Sequence, residues 1–132
     1  MKKGILFSAM MIMLSFVFTS NVTAQTQDAD VTIIELHQTP GAFKTTNLNL
    51  LPGKYQFRVV NDDVEKEVGF LIQQAAKKDM NPMETAVDNS FTTKTMKKGE
   101  VAYTGVVELT AGEYVYSCPM NPTPHYTINV KK

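Results

Sequence analysis

The sequence contains few of the residues that most often carry site chemistry: one cysteine, Cys118, and two histidines, His37 and His125. A single cysteine excludes an internal disulfide, so Cys118 is left as an inert buried thiol, half of an intermolecular bridge or a metal ligand. The sequence also lacks a glycine-rich phosphate loop, a nucleophile elbow and a His-Glu-x-x-His helix. These absences predict that the protein is not an enzyme.

Long apolar runs are absent except near the start of the chain, where residues 4–18 follow the positive charges of Lys2 and Lys3. Small residues follow this run and complete the pattern of a secretory signal peptide. An uncleaved membrane anchor is the alternative, but spanning a bilayer requires about 20 apolar residues. We therefore predict a signal peptide at 1–24 and a mature domain at 25–132. The mature protein is expected to be periplasmic or secreted, with no membrane attachment after cleavage.

Neither sign of charge dominates, because the chain has 13 basic and 13 acidic residues. Loss of Lys2 and Lys3 with the signal peptide leaves 11 basic residues and a net charge of about −2. This balance argues against nucleic acid as a partner, because phosphate binding requires a basic surface. A length of 132 residues with 43% hydrophobic content is typical of one globular domain.

What the sequence does contain is a series of short β-branched and aromatic segments, separated by Pro, Gly and Asn-Asp clusters. This spacing predicts an all-β sandwich. Within 54–60 the apolar residues alternate with polar ones, which predicts one core face and one solvent face. Three turn sequences are expected to join antiparallel neighbours, and they lie at 51–53, 61–63 and 110–112. About seven strands are predicted, at 31–37, 43–50, 54–60, 68–73, 100–109, 112–118 and 125–130.

A long polar excursion at 74–99 interrupts the strand pattern, since it is rich in Lys and shows no two-residue alternation. We predict a helical turn near 73–78 that ends before Pro82. The excursion carries three methionines, Met80, Met83 and Met96. Methionines of this kind usually fill gaps in packing, and exposed thioethers also bind cuprous ions.

The segment most informative about chemistry runs from Gly112 to His125. A predicted strand delivers Cys118 to its end, a proline-rich loop follows, and His125 opens the final strand. The Gly-x-Tyr-x-Tyr-x-Cys pattern at 112–118 resembles the ligand loop of the cupredoxin family. The resemblance implies a Greek-key β-sandwich in which a thiolate and an imidazole bind copper, held by a short loop that its prolines stiffen.

A second resemblance to the cupredoxins lies at 60–70. In the family, a Val-Asn strand end is followed by a histidine that ligates copper, and here Glu67 occupies that position. The loop after Cys118 departs as well, because plastocyanin-like members have a second histidine three residues after the cysteine, where this chain has Asn121. His125 follows Cys118 by seven residues. The second cysteine of a binuclear copper site would fall near Pro122, which argues against such a centre.

The resemblance implies a ligand set of Cys118, His125 and Glu67, with Met120 or a backbone carbonyl as a weak additional ligand. This set is similar to that of the red copper protein nitrosocyanin, which combines a glutamate and a cysteine with histidines on the same fold. The implied function is binding of a single copper ion for electron transfer with a redox partner protein, or for copper handling. The alternative is a metal-free accessory module that retains the scaffold with a degenerate copper site.

Each of these residues also has a purely structural interpretation. Cys118 can pack as a small hydrophobic group, and His125 can bond to loop carbonyls. Glu67 can belong to a solvated charged turn. His37 is expected to be a surface histidine rather than a ligand.

Overall fold

Strands dominate the computed structural model, which describes residues 30–132. The predicted signal peptide at 1–24 lies outside the described residues. Within them the strands are β1 (Val31–Thr39), β2 (Ala42–Phe43), β3 (Asn47–Leu50), β4 (Gly53–Asn61), β5 (Leu71–Gln74), β6 (Val101–Tyr103), β7 (Val107–Leu109), β8 (Gly112–Ser117) and β9 (Tyr126–Val130).

The strands form two sheets. The first has the order β2-β1-β4-β6, with β7 also pairing with β4, and the second has the order β3-β9-β8-β5. The β1–β4 and β3–β9 pairs are parallel, and the other pairs of named strands are antiparallel. The prediction of an all-β sandwich is confirmed.

The described residues contain nine strands rather than about seven, because two predicted strands are each divided. The prediction at 43–50 becomes β2 in the first sheet and β3 in the second. The prediction at 100–109 breaks at Thr104, whose hydroxyl accepts a hydrogen bond from the amide of Phe57 at 3.0 Å. The Thr104 amide still donates to the Phe57 carbonyl at 2.9 Å, so a side chain replaces one backbone partner of β4 between β6 and β7.

The prediction that the turns at 51–53, 61–63 and 110–112 join antiparallel neighbours was wrong, since each carries the chain from one sheet to the other. Two tyrosines hold such crossings. The Tyr55 hydroxyl donates to the Leu51 carbonyl at 2.6 Å, and the Tyr114 hydroxyl donates to the Thr110 carbonyl at 3.0 Å. Tyrosine hydroxyls that bond back to the chain a few residues upstream are a known device at sandwich corners.

The core lies between the sheets and is built around aromatic rings. In β4 the predicted alternation is confirmed, because Tyr55, Phe57 and Val59 are buried while their neighbours face outward. Rings on five residues contact one another with centroids 5.2 to 5.9 Å apart. Such pairs each add about 0.5–1.5 kcal/mol beyond area burial. The five are Phe43, Phe57, Phe70, Tyr116 and Tyr126.

The excursion at 74–99 contains a 3-10 turn at Ala75–Lys77 and one short helix, α1 (Pro82–Thr85). The helical turn was predicted, but Pro82 begins a helix rather than only ending one. The Asn81 side chain accepts a hydrogen bond from the Met83 amide at 3.0 Å, and proline is well suited to a first helical position. No helix among the described residues has the length and apolar character needed to cross a bilayer.

Candidate metal centre

Cys118 lies immediately after β8, at the end of the sandwich where the loop to β9 begins. This placement matches the sequence prediction. The side chain is 2% exposed and belongs to the hydrophobic core cluster.

Two backbone amides point at the Cys118 sulfur. The Gly69 amide donates to Sγ at 3.3 Å, and the Asn121 amide donates at 3.1 Å. These amides come from two separate loops, so the sulfur joins them. Hydrogen bonds to a cysteine sulfur stabilise negative charge on it and tune a bound metal.

Met120 lies against the same glycine that contacts Cys118. A methyl group placed on Gly69 would lie 3.6 Å from Met120 Sδ, so the thioether rests over the glycine backbone. Met120 is 42% exposed. The thiol and the thioether therefore both lie next to Gly69, the thiol buried and the thioether partly exposed.

Asn121 occupies the position where plastocyanin-like loops have a histidine, and it points into the protein. Its Nδ2 donates to Gln38 Oε1 at 2.9 Å and to the Thr39 carbonyl at 3.1 Å, and its Oδ1 accepts from the Gly41 amide at 3.0 Å. Gln38 in turn donates to the Gly69 carbonyl at 3.1 Å. Together these bonds tie the Cys118 loop to β1 and to the Gly69 loop.

The sequence prediction missed this amide network. Gln38 is two residues after Leu36 in β1 and both are buried, so the alternation of the strand was the available signal for Gln38. Asn121 carried no comparable signal, because nothing in a loop sequence distinguishes an inward amide from an outward one.

Glu67 lies outside the core on the loop before β5. Its carboxylate accepts a short hydrogen bond from the Thr95 hydroxyl, and its side chain is exposed. The following residue, Val68, is completely buried and pairs with Met96 of the excursion. Local alternation therefore directs Val68 inward and Glu67 outward.

The two histidines lie in different surroundings. His125 is exposed and directly precedes β9, which is the placement that the sequence predicted. His37 donates toward Asp62 Oδ1 from Nδ1 and toward Glu35 Oε1 from Nε2, both at 2.9 Å. The bond to Asp62, together with the bond to Glu35, raises the pKa of His37 above its ordinary value.

The donors do not converge as a blue copper centre requires. Within residues 30–132, no group of three or more His, Cys, Asp or Glu side chains is placed to hold a metal ion. Cys118, His125 and Glu67 are therefore not assembled as one set here, and the full ligand set stays a prediction. A blue centre takes two imidazoles and a thiolate, and these residues do not fit it. The sulfur donors of Cys118 and Met120 suit a softer ion.

The excursion lies against this end of the sandwich. A cavity of about 370 Å³ is lined by Gly69 and Met120 together with excursion residues that include Met83 and Phe91. The sequence left open whether the excursion folds over the predicted site or away from it. The structure places part of it beside the Cys118 loop.

Comparison with solved structures supports the architecture. No model of a known protein family matches the sequence, and no curated protein matches it. Among solved structures, auracyanin A, described as a "blue" copper protein from Chloroflexus aurantiacus, has a TM-score of 0.59 at 14% identity. The alignment covers 76% of this chain and 99% of that one.

Two further solved structures are similar to the same extent. Auracyanin from Roseiflexus castenholzii has a TM-score of 0.59 at 15% identity, with 76% of this chain and 98% of that chain covered. Azurin from Methylomonas sp. strain J has a TM-score of 0.59 at 10% identity, with the same coverage. These proteins are cupredoxins, so this chain has a cupredoxin-like fold. The fold is compatible with the prediction that the chain is not an enzyme.

Proposed function

We propose that this chain is an exported copper-handling protein, which holds one cuprous ion through the thiolate of Cys118. The predicted signal peptide at 1–24 would direct export and then be removed. The mature domain would act in a periplasm or outside the cell. The observation that carries the proposal is the pair of backbone amides that donate to Cys118 Sγ. Amide hydrogen bonds from two loops hold this sulfur in place and stabilise a negative charge on it, so the thiolate is positioned to bind a cation.

The donor set favours copper handling over electron transfer. Met120 is the second metal ligand that we assign, because its sulfur and that of Cys118 both lie next to Gly69. His125 is the third, since it lies at the end of the same loop. Thioether and thiolate ligands favour cuprous ion, whereas rapid redox cycling with a partner protein depends on imidazole ligands for the cupric state as well.

Glu67 is the fourth predicted ligand, and we expect it to matter least. Its carboxylate already accepts a hydrogen bond from Thr95, and the backbone directs it away from the core. A carboxylate is also a hard ligand that suits cuprous ion poorly.

Competition for cuprous ion tests the proposal. A chromophoric cuprous chelator is titrated with the reduced protein under anaerobic conditions, and the loss of chelator colour gives the stoichiometry and affinity. We expect one tight equivalent in the native chain, loss of that equivalent in Cys118→Ser, and weaker binding in Met120→Leu and His125→Gln. Glu67→Gln serves as the matched control and should bind like the native chain.

Addition of cupric ion separates copper handling from electron transfer. We expect no intense visible band that depends on Cys118, because the donor set does not fit a blue centre. A strong band that disappears in Cys118→Ser would favour electron transfer instead.

A metal-free accessory module is the second candidate function. The inward bonding of Asn121 favours it, because the position that carries a histidine in plastocyanin-like loops is used here for structure. Metal analysis of the folded protein after purification from copper-supplemented medium discriminates between the two. Absence of copper, together with failure to compete for cuprous ion, would support the metal-free module.

A further inference from the structure

We propose that the thioethers of Met83 and Met120 form an outer site for a soft monovalent cation, in the cavity between the excursion and the Cys118 loop. The site would receive cuprous ion from solvent and lie on its route to Cys118. The inference rests on the proposed function only for the destination of the ion. The outer site itself stands on the geometry of the cavity.

Both thioethers are accessible and line the same cavity. Met83 is 68% exposed and Met120 is 42% exposed. The cavity of about 370 Å³ has room for an ion and its remaining water ligands. Large apolar side chains are costly to leave in water, so two exposed methionines lining a single cavity call for an explanation.

The structure holds each methionine in place from a different element. Met83 is the second residue of α1, and its amide bonds to the capping Asn81 side chain at 3.0 Å. The helix is anchored in turn to the sheet, because the side-chain Nε2 of Gln73 donates to Thr85 Oγ1 at 2.8 Å. Met120 rests on Gly69, next to the amide that contacts Cys118. Only the flexible thioether side chains need to adjust when an ion binds.

The chemistry of the lining selects a soft ion. Among the described residues that line this cavity no carboxylate appears, and Lys94 is the charged one. A hard divalent cation would find no carboxylate in the lining itself, since Glu67 lies behind Thr95 and is hydrogen-bonded to its hydroxyl, and the ammonium group of Lys94 repels a divalent ion more strongly than a monovalent one. Neutral sulfur donors bind cuprous or silver ion through soft, covalent bonding. The ring of Phe91, which is 38% exposed, adds an aromatic wall beside the sulfurs.

Silver ion is the probe, because it resembles cuprous ion and does not change oxidation state in air. The chain is labelled with ¹³C at the methionine methyl groups, and spectra are recorded as silver nitrate is added. In Cys118→Ser, where silver cannot bind the thiolate, we expect the methyl signals of Met83 and Met120 to shift together and to saturate at the same silver concentration. Met80 is 56% exposed, belongs to the same excursion and does not line the cavity, so its signal should stay in place. The buried Met96 serves as a reference.

Substitutions test whether the two sulfurs share one ion. In the Cys118→Ser background, Met83→Leu should weaken the silver response of Met120 by about tenfold or more, and Met120→Leu should do the same to Met83. Met80→Leu should change neither response. An unchanged response of Met83 in Met120→Leu would overturn the proposal, and so would equal shifts of Met80 and Met83. Zinc ion should produce no shift at either methyl group, and a zinc response equal to that of silver would also overturn it.

The outer site and the proposed function fail separately. In Cys118→Ser the tight cuprous equivalent should disappear while silver still shifts Met83 and Met120. If silver leaves both signals unmoved in that variant and in the native chain, the outer site is refuted, whatever the affinity at Cys118. If silver shifts them but Cys118→Ser retains the tight cuprous equivalent, the assignment to Cys118 is refuted and the outer site survives.

Discussion

Asn121 shows how one side chain can remove a ligand position and stabilise the fold. It is 5% exposed, and its amide group makes hydrogen bonds to Gln38, Thr39 and Gly41. A histidine at the same position could not supply both the acceptor and the two donors of this amide. The third residue after Cys118 therefore makes structural hydrogen bonds. Any further metal ligand from this loop must be Met120 or a residue at the end of the loop.

We expect Asn121→Ala to destabilise the protein by about 2–3 kcal/mol, because it leaves buried partners without hydrogen bonds. Urea unfolding followed by circular dichroism measures the change. Asn49→Ala is the matched control, since Asn49 is exposed on β3 and should cost less than about 0.5 kcal/mol. Equal effects of the two substitutions would show that the buried network contributes no special stability.

His37 joins β1 to the loop after β4 through charge. Its two nitrogens bond to Asp62 and Glu35, whose other oxygens bond to Lys44 and Arg58 respectively. The hydrogen bond from Lys44, and then that from His37, lowers the pKa of Asp62. The hydrogen bond from His37 is the main cause that lowers the pKa of Glu35. The side chain of His37 is 36% exposed, so solvent screens these interactions and their effect on stability is modest.

The raised pKa of His37 sets the direction of a pH dependence. Charged His37 contributes stability that is fully present below the ordinary value of 6.5 and is lost as the pH rises through the folded-state pKa. The lowered pKa values of Asp62 and Glu35 give stability the opposite pH dependence. Their contribution is present above the ordinary values of 3.8 and 4.5, and it is lost as the pH falls through the folded-state values.

We therefore expect His37→Gln to lower the melting temperature at about pH 5.5 by more than it does at about pH 8.5. Thermal unfolding of both proteins across this range provides the measurement. Asn49→Ala is the control, because Asn49 is exposed and carries no titratable group, and its effect should be the same at both pH values. A His37→Gln effect that grows with pH would contradict the assignment.

At the element scale, the excursion is anchored rather than free. Gln73, 1% exposed, donates to the Lys77 and Met80 carbonyls at 3.2 and 3.5 Å and to the Thr85 hydroxyl at 2.8 Å. Further along, Met96 pairs with Val68 and is completely buried. Sequence patterning identified the excursion because alternation stops at Gln74. It could not reveal the anchors, since a buried glutamine and an exposed one look the same in sequence.

We expect Gln73→Ala to speed hydrogen exchange of the amides at 75–86 by about tenfold or more, because the bonds that close this segment on β5 are lost. Exchange followed by mass spectrometry resolves the segment. Gln74→Ala is the matched control, because Gln74 is exposed and should leave exchange unchanged. Unchanged exchange in Gln73→Ala would mean that other contacts hold α1.

Strand prediction succeeded where burial imposes a two-residue period and failed where the chain changes sheets. The bounds of β4 lie within a residue of the predicted range, because its buried residues alternate with partly exposed ones along the whole strand. The bounds of β8 also lie within a residue of the prediction, although its last four residues are all buried. The prediction at 43–50 spanned β2 and β3, since local sequence does not record that the chain passes from one sheet to the other between them. The same reason explains why the turns at 51–53, 61–63 and 110–112 were wrongly predicted to join antiparallel neighbours.

For the whole molecule, the sequence predicted the architecture more completely than the site. The strand pattern and the segment at 112–125 were enough for the cupredoxin-like sandwich, and solved structures with no more than 16% identity confirm it. Fold depends on the average placement of many apolar residues, whereas a metal centre depends on the directions of a few side chains. For Asn121, that direction is set by partners that are distant in sequence, Gln38 and Thr39.

X-ray absorption at the copper edge of the cuprous-loaded protein tests the central claim most directly, because it identifies the atoms bound to the ion. We predict sulfur scatterers in the first coordination sphere of the native chain loaded with one equivalent, and in Cys118→Ser treated in the same way either no retained copper or a reduced sulfur count. A first sphere made only of nitrogen and oxygen atoms, or one that Cys118→Ser leaves unaltered, would contradict a site anchored on this thiolate.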